Sequence, residues 1–246
     1  MRTVMKPSHG NASKPPAAVK RVVAEPATSE ELPSRRMRGA SRGAFVREAI
    51  RAAIHEGELK AGQRLRERDV ADWLSVSRTP VREGLKMLLS EGLVSEARND
   101  GLLVATLTID EVRELYRVWA DMEALAARYA ALNASVSDIR ALAEICSRWN
   151  ERLNPTELLR MNRQFHQAIC QAAHNRYLTR ALGSIDDCLA LLGSNTYTIP
   201  GRPAEAGREH QAIVRAISRH DPDAASLAAN SHISTAGKLR MSLFGR

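Results

Sequence analysis

The chain has 246 residues, with 36 Lys and Arg against 28 Asp and Glu, for a formal charge of +8 and a pI near 9.9. With 44% apolar and 26% charged residues, wholesale disorder is excluded, and three Cys without paired spacing exclude a disulfide scaffold or a CxxC zinc ribbon. No window approaches the ~18 consecutive apolar residues of a membrane span. The segment MRTVMKPSHGNASKPPAAVKR lacks the apolar stretch of a secretory signal. The expectation is a soluble, cytoplasmic protein in a reducing compartment, with no membrane partner.

The charge is unevenly placed. Residues 1–38 carry a net +5, residues 39–106 only +1 and residues 107–246 only +2. A DNA-binding unit must therefore work through individually placed arginines rather than bulk charge. Residues 1–40, with Pro at 7, 15, 16, 26 and 33 and no apolar periodicity, read as a basic disordered tail, with nonspecific phosphate attraction as the alternative role.

From Ser41 the repeat Phe45, Val46, Ala49, Ile50, Ala53, Ile54 predicts an amphipathic helix stopped by Gly57. Val70, Ala71 and Leu74 mark a short second helix. Ser77 or Thr79 is placed to cap a third, with Pro80 tolerated in its first turn and Val81, Leu85, Leu88 and Leu89 on one face. Two short strand-like runs, 93–96 and 102–105, flank the turn Arg98-Asn99-Asp100-Gly101. Three helices and a hairpin over 41–106 predict a winged helix-turn-helix. Beyond Thr108 no strand signal appears. Helical segments are expected at 109–133, 136–152, 155–174, 176–194, 204–220 and 222–242, separated by Asn154-Pro155, Asn175, Gly193, Pro200-Gly201 and Asp221-Pro222. The predicted fold is mainly α: a winged helix-turn-helix with a short β-hairpin wing, then an all-α antiparallel bundle over 109–242.

In a helix-turn-helix the second helix presents its N-terminal residues to base edges. Here that entry reads Ser77-Arg78-Thr79-Pro80-Val81-Arg82. Arg78 and Arg82 lie one turn apart and suit bidentate contact with guanine, while the Ser77 and Thr79 hydroxyls suit phosphate oxygens. Arg68, opening the preceding helix, can join them, and Asn99-Asp100-Gly101 makes a small wing tip. The competing reading is an ordinary solvated helix face. The run GELKAGQRLRERDVADWLSVSRTPVREGLKMLLSEGLV resembles the GntR-type winged helix, and that resemblance implies DNA contacts by Arg68, Arg78, Thr79 and Arg82 with Gly101 at the wing tip. Ala61 stands where the family usually has Pro and Gly84 where it usually has Ala. By propensity Gly84 costs its helix up to ~1 kcal/mol.

Of seven His, three lie on apolar helix faces: His166 with Leu158, Leu159, Phe165, Ile169 and Ala173; His210 with Ile213, Val214 and Ile217; His232 with Ala225, Ala229, Ala236 and Leu239. An unpaired polar group there costs roughly 1–3 kcal/mol. Asn162 lies one turn before His166. Each His alone reads as a hydrogen-bonded core residue. Three on three helices equally suit a shared divalent metal. The segments ELYRVWADMEALAARYAA, MNRQFHQAICQAAHN and REHQAIVRAI with DPDAA and SHI resemble the FCD effector domain of the FadR subfamily. Metal-binding members use an Asp and three His at the positions of Asn162, His166, His210 and His232, which implies zinc, with nickel or manganese as alternatives. Asn162 replaces the Asp and gives a neutral carbonyl ligand. Trp119 stands where the family commonly has an Arg that can face an acidic effector, so it is a candidate for the effector pocket, with core filling as the rival. Arg117, about 200° around the same helix, cannot take over.

The resulting expectation is a ligand-responsive DNA-binding transcriptional regulator: a homodimeric repressor leaving a palindromic operator when a small organic acid binds the metal-containing bundle. Repression relieved by effector is the commoner behaviour in the family that the chain resembles. One alternative is a metal-dependent helical enzyme carrying a DNA-binding module, opposed by the lack of a nearby general base, since Glu209 is rotated about 100° from the face of His210. Another is a structural DNA-associated protein with no effector. Cys146, Cys170 and Cys188 are expected to pack.

Overall fold

The computed structural model describes residues 39–97, 101–193 and 195–244, with side chains from Arg42 onward. The expected tail thus lies almost wholly outside the described residues. The first apolar repeat folds as α1 (Gly39–His55) and buries Val46, Ile50, Ala53 and Ile54, while Phe45 is turned to solvent. Helices α2 (Glu67–Leu74) and α3 (Arg78–Ser90) follow, joined at Ser75, whose φ of 54° makes the sharp left-handed turn. Ser77 is the N-cap of α3, but its side chain makes no capping hydrogen bond.

The wing departs from the expected two-stranded hairpin. Strands β2 (Val94–Glu96) and β3 (Leu102–Val104) pair antiparallel, and β1 (Arg64–Leu65) adds on the other side of β3, giving a three-stranded sheet in the order β1-β3-β2. Arg64 pairs with Leu103 and Leu65 with Leu102. A two-residue strand is too short to show alternation, and only its long-range partner defines it. Leu65, buried on this sheet, packs with Val46, Ile50, Val81, Leu85, Leu88 and Val104 in the first core.

Local chemistry sets the remaining boundaries. Capping boxes at Thr108 and Glu111, Ser135 and Asp138, and Asn154 and Glu157 start α4 (Ile109–Asn133), α5 (Val136–Ser147) and α6 (Pro155–Ala172). Asn175 caps α7 (Arg176–Ala190), and Asp221 before Pro222 caps α9 (Pro222–Ser242). Gly201, at φ 81°, opens α8 (Arg202–Ser218) two residues earlier than expected, after a 3-10 turn at Thr196–Thr198. Helix α5 stops at Ser147, so Trp149 leaves the helix and reaches across to α8, donating its Nε1–H to the Pro203 carbonyl at 2.9 Å. The long helices α4 and α9 pack along each other, with Gly237 letting the Tyr116 ring close against α9. Around them Phe165, Ile169, Ile213, Ile217 and Ile233 build the bundle core. No described helix is long and apolar enough to cross a membrane.

Candidate metal centre and nucleic-acid interface

Arg78, Thr79 and Ser77 are all exposed at the start of α3, and Arg68 is exposed on the first turn of α2, 3.8 Å from Asp72. Arg82 is also exposed, but its Nε–H is held by both carboxylate oxygens of Glu67 at 2.9 Å. The pair leaves the terminal nitrogens of Arg82 turned to solvent, and being exposed it is worth only about 0–1 kcal/mol. Asn99 lies outside the described residues. Gly101 ends the wing turn at φ 141°, where its missing Cβ leaves room for the guanidinium of Arg64, 3.0 Å from where that atom would be. Arg64 thus joins the wing, placed there by the strand that the sequence pattern left unseen.

Gly84 has a packing reason. A Cβ there would fall 2.8 Å from Val46 Cγ1 and 2.9 Å from the Gly43 carbonyl oxygen, so the α1–α3 approach requires its absence.

In the bundle, α6, α8 and α9 bring His166, His210 and His232 together. One ring nitrogen from each lies within 4.8 Å of the others, and all three side chains are buried. Each ring is oriented from outside. His166 Nδ1–H donates to Glu123 Oε2 at 3.0 Å, and the other oxygen of Glu123 accepts from Trp119 Nε1 at 3.0 Å. His232 Nδ1–H donates to Glu209 Oε2 at 2.6 Å, and Arg202 Nη1 lies 2.8 Å from the same oxygen. His210 sits between Phe165 and the edge of Trp149, and its Nε2 meets Asn162 Oδ1 at 3.1 Å.

Two observations test this set for a cation. His166 Nε2 is buried without a hydrogen-bond partner, a costly state unless that nitrogen is a ligand. Glu123 is a carboxylate only 3% exposed, accepting from one indole and one imidazole, and a positive ion on the far side of that imidazole offsets its burial. Burial first, and then the neighbouring imidazoles, hold His210 and His232 well below the ordinary imidazole pKa, so both are neutral as a ligand must be. The residues fit a divalent metal.

Sequence reasoning missed the outer groups. Glu209 does turn away from His210, but it reaches His232, so the outward rotation did not remove it from the centre. Glu123 was visible only as an acid on the buried face of α4. Arg202 is 2% exposed and Arg240 6% exposed, and both line a cavity of about 760 Å³ together with Tyr116, Trp119, His166 and His232. Trp119 is both core and cavity wall. Among the cysteines, burial pushes the Cys146 thiol up to about 11, consistent with packing.

Comparison with known proteins matches residues 43–104 to the family described as bacterial regulatory proteins, gntR family, and residues 114–235 to the FCD domain. The Glc operon transcriptional activator of Escherichia coli K12 is 31% identical over 219 residues, covering 78% of this chain and 86% of that protein. The HTH-type transcriptional regulator YdhC of Bacillus subtilis is 26% identical over 187 residues, covering 74% and 84%. Among solved structures, Escherichia coli McbR/YncC superposes with a TM-score of 0.72 at 20% identity, covering 83% of this chain and 99% of that one, a likeness of fold.

Proposed function

The chain belongs to the GntR family of bacterial regulatory proteins and carries an FCD domain, and from that premise we propose a metal-containing homodimeric repressor released from a palindromic operator by an organic acid. The observation that carries this reading is the convergence of three buried imidazoles from three helices, two of which, His166 and His232, line a cavity of about 760 Å³, in a chain whose helices α2 and α3 expose Arg68, Arg78 and Arg82. His166, His210, His232 and Asn162 would hold the metal, zinc in the first instance, and the metal when bound supplies a positively charged coordination position for a carboxylate oxygen.

The donor set is neutral throughout. With an amide in place of a carboxylate, a divalent ion keeps its full formal charge and draws an anionic effector the more strongly, at the cost of a looser hold on the ion itself. Arg202 and Arg240 line the same cavity, on α8 and α9; Arg202 is ion-paired with Glu205 and Glu209, so an acid that meets its guanidinium competes with those carboxylates. The volume is of the size that small-molecule sites occupy. Trp119 and Tyr116 give it a flat apolar side suited to the body of the acid.

Effector and operator communicate by linkage: an acid that binds one arrangement of the winged helices better than the other lowers DNA affinity by that difference. Two-fold operators call for a two-fold protein. We assign no enzymatic step, because Glu123 and Glu209, the carboxylates at the centre, are engaged in orienting imidazoles. The test is retention of a promoter fragment by the full chain. The Arg78→Ala/Arg82→Ala double variant should lose specific retention, and added acid should release the wild type. Wild-type retention by the double variant overturns the interface, and retention strengthened by the acid makes the protein an activator-type switch instead.

A further inference from the structure

The cavity is not confined to the bundle. Its wall passes from Trp119, His166 and His232 to residues Ile54, His55, Glu56 and Gly57, the end of α1 and the turn after it. Helix α7 lies between the two regions. Leu182, Gly183 and Asp186 face the cavity, while Leu191, just past the end of α7, is 4% exposed and packs in the winged-helix core.

A cluster of charged groups closes this seam. His55 Nε2–H donates to Asp187 Oδ1 at 2.8 Å, and Arg51 Nη2 meets Asp187 Oδ2 at 2.7 Å. Arg163 Nη1 donates to the His55 carbonyl at 2.9 Å, and its Nε lies 3.8 Å from Asp186. Arg163 directly follows Asn162 and shares α6 with His166. The Asp187 side chain is 14% exposed and that of Arg163 25%, so the cluster is shielded more than a surface ion pair, whose worth is about 0–1 kcal/mol. A cation at the last carbonyls of α1 also opposes the negative end of its dipole.

We propose that the end of α1 is part of the effector site and that the Arg163–His55–Asp187 cluster is the joint through which occupancy reaches the winged helix. The inference rests on the regulator reading above. Its direction follows from charge. An anion in the cavity meets Arg163 and the His55 ring, donors now held by the His55 carbonyl and by Asp186 and Asp187. It competes with those acceptors, opens the seam and releases α1 from α7. Both sites then bias one two-state contact, which is the physical requirement for coupling.

The test uses the full-length, zinc-loaded chain and hydrogen exchange with peptide resolution. Asp187→Asn and Arg163→Gln should each raise exchange across residues 50–57, leave α4 and α9 protected, keep zinc affinity close to wild type, and lower DNA affinity about tenfold. Retained protection of α4 and α9 shows that the variants fold. From a panel of short-chain and aromatic carboxylates, the acid that most raises the wild-type melting temperature should increase exchange over 50–57 in the wild type and leave Asp187→Asn unchanged. Wild-type exchange and DNA affinity in both variants overturn the joint, as does an acid that binds the wild type without loosening 50–57. Failure of the wild type to take up zinc instead overturns the metal reading, and the variants' exchange still decides the joint.

Discussion

Gly84→Ala separates two physical arguments that point in opposite directions. Judged on helix propensity, alanine in the middle of α3 gains up to about 1 kcal/mol over glycine. Judged on packing, the added methyl meets Val46 Cγ1 at 2.8 Å, Val46 Cβ at 2.9 Å and the Gly43 carbonyl oxygen at 2.9 Å. A rotamer change moves Val46 Cγ1, but Val46 Cβ and the Gly43 oxygen are fixed to the backbone of α1 and move only with the helix, so α1 and α3 must part by several tenths of an ångström. Overpacking of this kind costs about 1–3 kcal/mol. The net expectation is a loss of about 1 kcal/mol, or roughly 4–8 °C in the transition that reports the winged helix. Thermal and urea unfolding followed by circular dichroism, with DNA retention as a second readout, checks it. Val46→Ala in the same background should recover the part of the loss due to Cγ1 and leave the part due to the residue-46 Cβ and the Gly43 oxygen, a coupling that a double-mutant cycle measures. A Gly84→Ala protein more stable than wild type would refute the packing argument and restore the propensity reading.

Three further outcomes follow from the site. Asn162→Asp adds a negative ligand, so zinc should bind at least tenfold more tightly while the carboxylate effector binds more weakly, both read by calorimetry; unchanged zinc affinity would remove Asn162 from the ligand set. Glu123→Gln should weaken zinc binding by about 10–100-fold through the freed His166 ring, with a change in Trp119 fluorescence that a purely packing role would not give. In the metal-free protein the imidazoles of His210 and His232 are held below their unfolded-state pKa. The unfolded chain therefore binds protons that the folded one refuses, and stability falls as pH drops below about 6.5, by up to about 1.4 kcal/mol per pH unit for each ring. Urea midpoints at pH 7 and below pH 6 should show this, and His210→Asn should reduce the slope.

Much of the architecture was legible because its signals are local. Pro155 after Asn154, Asp221 before Pro222 and the SRTPVRE entry to α3 each carry their structural meaning within a few residues. His166, His210 and His232 were legible for a different reason: an imidazole on an apolar stripe is out of place and announces a partner. What stayed hidden depends on partners far along the chain. Glu123 binds a ring 43 residues away and Glu209 one 23 residues away, so no spacing rule links them. Arg202 fell outside the helix expected from 204, because Gly201 starts α8 before Pro203 does. The apolar pattern of α9 places Leu239 on the buried face, whereas Leu239 is half-buried and Arg240 lies two turns from His232 on the side that enters the cavity. The β1 strand and the placement of Arg64 against Gly101 exist only through pairing with β3.

In the proposed regulator a metal held by His166, His210, His232 and Asn162 governs an acid-responsive grip on DNA. The most direct measurement of that role is a zinc titration of the chelator-treated full chain in wild type and His166→Ala, followed by operator binding with and without the stabilising acid. Wild type should saturate at a single equivalent, His166→Ala should lose that site, and acid should release DNA only when the site is filled. Zinc uptake unaffected by His166→Ala, or release by acid in the metal-free protein at the same concentration, would contradict that role.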